Sequence, residues 1–180
     1  MTRRRGPPGR ETAAAESNER RSWYGYGHLT RTEKNGVGLF LHDATRIFGE
    51  VTVLSLPVLL FVMDYPATGW FDAKATGLVA WAVALLVGTL VRGGWIRPLA
   101  SETRGWVSLY PTLLALRVPY FNAVMALAIF GGLWIGGFLV GVGSGTTLVV
   151  VTGIGWAALA SLVGFLAFPR VAEEFMARRR

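Results

Sequence analysis

Apolar residues in this chain are gathered into long blocks, and charged residues fall mainly between the blocks. A helix needs about 20 apolar residues to cross the hydrocarbon core of a bilayer. The blocks therefore predict four membrane-spanning helices, at residues 47–63, 75–91, 118–141 and 148–168. Pro57 lies inside the first block and is expected to kink that helix, because proline removes a helical hydrogen bond.

Two segments beside the spans are predicted to lie at the membrane interface. Residues 23–46 begin with Trp and Tyr, which favour the headgroup level, and continue with apolar residues at helical spacing. The run from Trp106 to Gly141 is too long for one ordinary span and too short for two. Its first part, residues 106–116, is predicted to form a short interfacial helix or a re-entrant segment shielded by protein. The predicted fold class is an all-α integral membrane protein with four transmembrane helices and one or two interfacial amphipathic helices.

Charge sets the predicted orientation of these spans. The chain has a formal net charge of +7 and contains 18 Lys and Arg residues. All of them except Lys74 fall on one side if the chain crosses the membrane four times. Basic residues collect on the cytoplasmic side, so a multi-pass protein of the cell membrane with both termini in the cytoplasm is predicted. Residues 1–22 and 169–180 are then basic cytoplasmic tails, and the first is expected to be disordered because it has no apolar run.

Glycine is concentrated around the end of the third span, where residues 131–145 read GGLWIGGFLVGVGSG. Glycine is a poor helix former, but helices in lipid associate through close packing, which small residues permit. Small residues also recur four apart in other spans, and residues at that spacing share one helix face. The residues predicted to pack the helices are Gly132, Gly136, Gly137, Gly141, Gly153, Ala157, Ser161, Ala80, Ala84 and Gly88. A tightly packed hairpin of the third and fourth spans is the main prediction, and a glycine-lined hinge or permeation path is the alternative.

Ionisable residues within the spans are few, and such residues are the first place to look for function. Glu50 lies one turn into the first span, and Arg117 begins the third. Both are predicted to lie near the cytoplasmic boundary, where they form a candidate intramembrane ion pair between two helices. The favoured interpretation is instead a pair within one helix, because Arg46 precedes Glu50 by four residues.

The chain offers few groups for catalysis or metal binding. It has no cysteine, which excludes disulfides and thiolate sites. His28 and His42 are its two histidines, and no further ligands at suitable spacing complete a metal site beside His42 and Asp43. The sequence also lacks a P-loop and a dinucleotide-binding fingerprint. No catalytic, cofactor or metal site is therefore predicted.

The basic tails are predicted to bind anionic lipid headgroups, since each basic residue near a membrane surface contributes about 1 kcal/mol to such binding. Nucleic acid is not an expected partner, because the tails lack a groove-reading fold or interleaved aromatic residues. The remaining predicted partners are the lipid bilayer, a second copy of the chain, and another membrane subunit.

These features leave three hypotheses for the function. The main hypothesis is a non-enzymatic accessory or scaffold subunit that acts through helix–helix packing. The first alternative is a small transporter or channel component that is gated near Glu50 and Arg117. The second alternative is a membrane-embedded enzyme that acts at the cytoplasmic face through His28, His42 and Asp43 together with Glu50.

Overall fold

The computed structural model of this chain describes residues 36–66, 73–101, 104–107 and 111–178. Within these ranges the fold is all-α, with five helices and no strand. The helices are α1 (Gly36–Leu54), α2 (Leu56–Asp64), α3 (Ala73–Arg92), α4 (Pro111–Gly141) and α5 (Thr146–Ala177).

Three of the helices are suited to cross a membrane by their length and composition. These are α3, α4 and α5, and the described residues hold a fourth such unit if the bent pair α1–α2 counts as one span. The predicted spans 75–91 and 148–168 fall within α3 and α5. The predicted span 47–63 is divided between α1 and α2.

The first predicted span is bent by 66° where α1 ends and α2 begins. Ser55 separates the two helices, and Pro57 is the second residue of α2. Proline is well accommodated there, because the first amides of a helix have no helical acceptor. The kink expected from Pro57 is therefore present, and the break lies just before the proline.

The predicted interfacial segment is described only in part. The tail over residues 1–22 and residues 23–35 of that segment lie outside the described residues. Residues 36–46 form the first half of α1 and continue without a break into residues that were predicted to cross the membrane. The described part of this segment is thus not a separate helix.

The prediction of a separate short helix over residues 106–116 is wrong. Trp106 and Val107 are not helical, and α4 runs without interruption from Pro111 through Arg117 and Pro119 to Gly141. Proline favours the first position of a helix, which explains the start at Pro111. The predicted boundary followed from the length of the apolar run and fell beside Arg117, but the charge of Arg117 is matched by Glu50 inside the fold, so the helix continues through it.

The helix that contains the fourth predicted span extends beyond residue 168. Helix α5 passes through Pro169 and continues to Ala177, so the predicted tail over residues 169–180 begins inside this helix. Phe168, Pro169 and Ala172 are all buried. Packing against the bundle therefore stabilises the helix beyond the proline, although proline disfavours a helix interior.

Helix α3 lies at the centre of the bundle and contacts α1, α4 and α5. Its buried residues are mostly small, among them Gly77, Ala80, Ala84 and Gly88. A β-carbon added to Gly88 would lie 2.8 Å from the side chain of Ile47 on α1. The small residues of α3 thus let three neighbouring helices approach its backbone.

The hairpin of α4 and α5 brings two backbones together at Gly132 and Gly153. A β-carbon added to Gly132 would lie 2.8 Å from the carbonyl oxygen of Gly153. Further along α5, Ala157 and Ser161 are buried, and on α4 Gly136 is buried as well. This face of the hairpin has the small residues at the positions where helix contact needs them.

Gly137 and Gly141 do not take part in this packing. Both are exposed, and nothing in the described chain lies within 4 Å of a β-carbon added to either. Consecutive residues point about 100° apart around a helix, so Gly137 faces away when Gly136 is buried. Among the described residues the two glycines therefore make none of the close helix contacts that were predicted for them.

Candidate functional site

A buried ion pair joins α1 to α4. Arg117 lies in the second turn of α4, and its side chain is completely buried. Its Nε lies 2.9 Å from Oε1 of Glu50 on α1, whose side chain is 8% exposed. A charge removed from water is tolerated only with a close partner. The position of each residue therefore depends on the other, although 66 positions separate them in the sequence.

The segment before α4 completes this site. The indole N–H of Trp106 donates to the same Oε1 of Glu50 at 2.9 Å. Nη2 of Arg117 donates to the backbone carbonyl of Val107. Gly105 has a φ of 107°, which glycine adopts readily and other residues do not. The glycine thus permits the turn that precedes these two buried residues.

Aromatic rings surround the pair on the inner side. Cζ of Arg117 lies 5.3 Å from the ring centroid of Phe168, within the range of a cation–π interaction. The Trp106 ring packs against Phe121, Phe165 and Phe168, with centroid distances of 6.3, 6.5 and 5.1 Å. An apolar surrounding strengthens the interaction between the two charges. It also makes the loss of either charge costly for the other.

Arg46 occupies a different position from the other two predicted members of this site. It lies on α1 one turn before Glu50 and is exposed, whereas Glu50 extends across to Arg117 on α4. The structure thus brings Glu50 and Arg117 together and places Arg46 at the surface.

A second ion pair links α1 to α3. Nε of Arg92, at the end of α3, lies 2.9 Å from Oδ1 of Asp43. Asp43 and Glu50, together with His42, belong to the alternative hypothesis of a membrane-embedded enzyme. In the fold each of these two carboxylates binds an arginine of another helix, while His28 lies outside the described residues. The carboxylates therefore act as links between helices.

A polar contact that the sequence did not single out lies further into the bundle. Nδ2 of Asn122 on α4 donates to the Leu54 carbonyl at 2.7 Å, and Oδ1 accepts from the Val58 amide at 3.1 Å. These two backbone groups flank the break between α1 and α2. The only signal in the sequence was an amide within an apolar run, which does not reveal its partner.

The chain belongs to a family described as Domain of unknown function (DUF8215), which matches residues 34–175. The matched range begins just before α1 and ends within the last turn of α5, so it includes the two ion pairs and the Asn122 contact. No curated protein and no solved structure matches the chain.

Proposed function

We propose that this chain is an integral protein of the cell membrane with four spans and both termini in the cytoplasm. The bent pair α1–α2 is one span, and α3, α4 and α5 are the others. Support comes from their apolar composition and from large apolar side chains that are exposed along them, such as Phe138, Val151 and Leu159. Lipid would cover these side chains.

The charged residues support the same orientation. Arg92 ends α3 beside Asp43, and Arg117 lies near the start of α4, so these charges share one end of the bundle. Lys74 lies at the opposite end of α3. The positive-inside rule then puts the arginine end in the cytoplasm, where the basic tails bind anionic headgroups.

Within that membrane we propose a non-enzymatic accessory or scaffold subunit that acts through helix–helix contacts. The observation that carries this proposal is the use made of Glu50 and Arg117. Both charges bind partners within the chain and are enclosed by Trp106 and Phe168. A pair used in this way fixes the arrangement of α1, α4 and α5, which is what a subunit with a fixed binding surface requires.

Reconstitution tests this proposal. The purified chain in liposomes should conduct ions and small solutes no faster than empty liposomes. Cross-linking in native membranes, followed by mass spectrometry of the purified adduct, should yield a discrete complex with a second copy or another membrane subunit. Flux above the empty-liposome control, or a chain that stays uncross-linked, would contradict the accessory role.

The second candidate is a small transporter or channel component gated near Glu50 and Arg117. The break between α1 and α2 favours it, because discontinuous helices commonly form the binding sites of transporters. The variant Glu50→Gln separates the two candidates, since it removes the charge and keeps the shape of the side chain. A gate predicts altered flux in this variant, whereas a structural pair predicts lower thermal stability and no flux.

A further inference from the structure

The break between α1 and α2 interrupts the helical hydrogen bonds over a very short distance. The amide of Ser55 still donates to the Val51 carbonyl at 3.0 Å, and the amide of Leu59 donates to the Ser55 carbonyl at 3.0 Å. Between these bonds lies Pro57, which has no N–H to donate. An uninterrupted helix would also join the Val58 amide to the Leu54 carbonyl.

The carboxamide of Asn122 occupies the place of that missing bond. Its Oδ1 accepts from the Val58 amide at 3.1 Å, and its Nδ2 donates to the Leu54 carbonyl at 2.7 Å. The same Nδ2 lies 2.7 Å from the Val118 carbonyl of its own helix, which fixes the side chain on α4. One side chain thus satisfies both backbone groups that the bend separates, as an apolar surrounding demands.

Among the described residues, few side chains of α2 pack on the rest of the fold, and Val58 and Leu59 are half-buried against the core. Only Val62 of its nine residues is buried, and it packs on Gly77 of α3. Phe61 and Tyr65 pack against Phe130 of α4, with ring centroids 5.8 and 5.7 Å apart. A segment with little buried surface separates from the rest of a fold more easily than the core does.

We propose that the break is a hinge on which α2 turns, and that Asn122 is the residue that holds α2 in the bent position. In the bent state the Val58 amide and the Leu54 carbonyl bind Asn122. In a straighter state they bind each other, so neither state leaves them unpaired. Two satisfied arrangements of one element are the basis of a two-state switch. This inference concerns the mobility of α2 and holds for either proposed function.

The size of the motion sets the measurement. The nine residues of α2 are about 13 Å long, so removal of the whole 66° bend would move its outer end by at most about 15 Å. The chain contains no cysteine, which allows spin labels at introduced cysteines without further changes. Met63 near the end of α2 and Leu127 on α4 are exposed and suit such labels. Pulsed electron paramagnetic resonance of the full chain in lipid nanodiscs then reports the distance between them.

The variant Asn122→Leu removes the amide and approximately keeps its volume. We expect one narrow distance population in the unmodified background and a second, displaced population in Asn122→Leu. The matched control is Thr152→Val, which removes another bond from a side chain to its own helix, that of Thr152 Oγ1 to the Leu148 carbonyl. It should leave the distribution unchanged. An unchanged distribution in Asn122→Leu would overturn the proposal.

Two further measurements separate a hinge from general loosening of the bundle. Labels at Leu127 and Leu159, both exposed on α4 and α5, should give the same distance with and without Asn122→Leu. Broadening of this second distance would mean that Asn122 supports the whole bundle, and the hinge would be rejected. Pro57→Ala restores a donor for the Val53 carbonyl and should enrich the same displaced population. A shift to a different distance would show that the two residues do not act on one hinge.

Discussion

The buried pair of Arg117 and Glu50 has contacts of two kinds. The sequence made the ion pair itself a candidate, whereas only the structure reveals the bonds to Trp106 and Val107. The position of Arg117 in an apolar run, together with the scarcity of ionisable residues, made Glu50 a candidate partner on another helix, although the sequence favoured Arg46 as the partner of Glu50. The other contacts were not predictable, because Trp106 and Val107 contribute an indole N–H and a carbonyl from a segment that the sequence indicated as helical. A backbone carbonyl carries no sequence signal, so only the fold reveals it.

A double-mutant cycle tests the ion pair at the residue scale. Glu50→Leu leaves a buried guanidinium unpaired, and breaking a buried pair in this way costs about 3–5 kcal/mol in the free energy of unfolding. The double variant Glu50→Leu/Arg117→Leu removes both charges and should recover most of that loss. Unfolding in detergent, followed by circular dichroism, measures both effects.

The control for this cycle is the pair of Arg170 and Glu174. It lies within α5, and both side chains are about half exposed, so its contribution to stability should be at most about 1 kcal/mol. Additive losses in the Glu50/Arg117 double variant would mean that the two charges do not depend on each other.

At the scale of the helices, the sequence predicted the helices that correspond to one apolar block bounded by turns. Helices α3 and α5 contain the predicted spans, and the bend near Pro57 was expected. The errors occur where a tertiary contact overrides a local signal. Arg117 interrupts the apolar pattern but not α4, because Glu50 matches its charge, and Pro169 lies within α5, because its neighbours are buried. Such contacts join residues that are distant in sequence.

The glycines of α4 provide a prediction with opposite signs at two nearby positions. Gly132→Ala should destabilise the α4–α5 hairpin by about 1–3 kcal/mol, since the added β-carbon meets the Gly153 carbonyl oxygen, a backbone atom that cannot move alone. Gly137→Ala meets nothing within 4 Å and should stabilise the helix by up to about 1 kcal/mol. Thermal unfolding of both variants in detergent provides the comparison. Equal losses at the two positions would mean that Gly137 is also packed, as in contact with a second copy.

At the scale of the whole molecule, the polar contacts are distributed unequally along the bundle. Asp43–Arg92 and Glu50–Arg117 join helices at one end, and Asn122 follows one turn further in. Beyond it, α4 and α5 meet through glycine and apolar residues and through one bond from the Trp156 indole N–H to the Leu127 carbonyl. Water and headgroups reach the end that holds the two ion pairs when that end lies at a membrane surface. The position of the ion pairs therefore agrees with the proposed orientation, in which the arginine end lies at the cytoplasmic surface.

The topology gives the prediction that most directly concerns the whole molecule. Single cysteines at Ala75, Ser144 and Ala177 place one probe at the start of α3, one between α4 and α5, and one at the end of α5. Four spans with cytoplasmic termini require the first two probes to lie outside the cell and the third inside. A membrane-impermeant thiol reagent applied to intact cells should therefore label Ala75→Cys and Ser144→Cys and leave Ala177→Cys unlabelled.

Permeabilised cells serve as the control, because all three positions should then react. Labelling of Ala177→Cys in intact cells together with Ser144→Cys would show that α5 does not cross, whereas labelling of Ala177→Cys alone would show that the bundle is inverted. In the inverted case the positive-inside argument fails, and the Glu50–Arg117 pair lies at the outer surface.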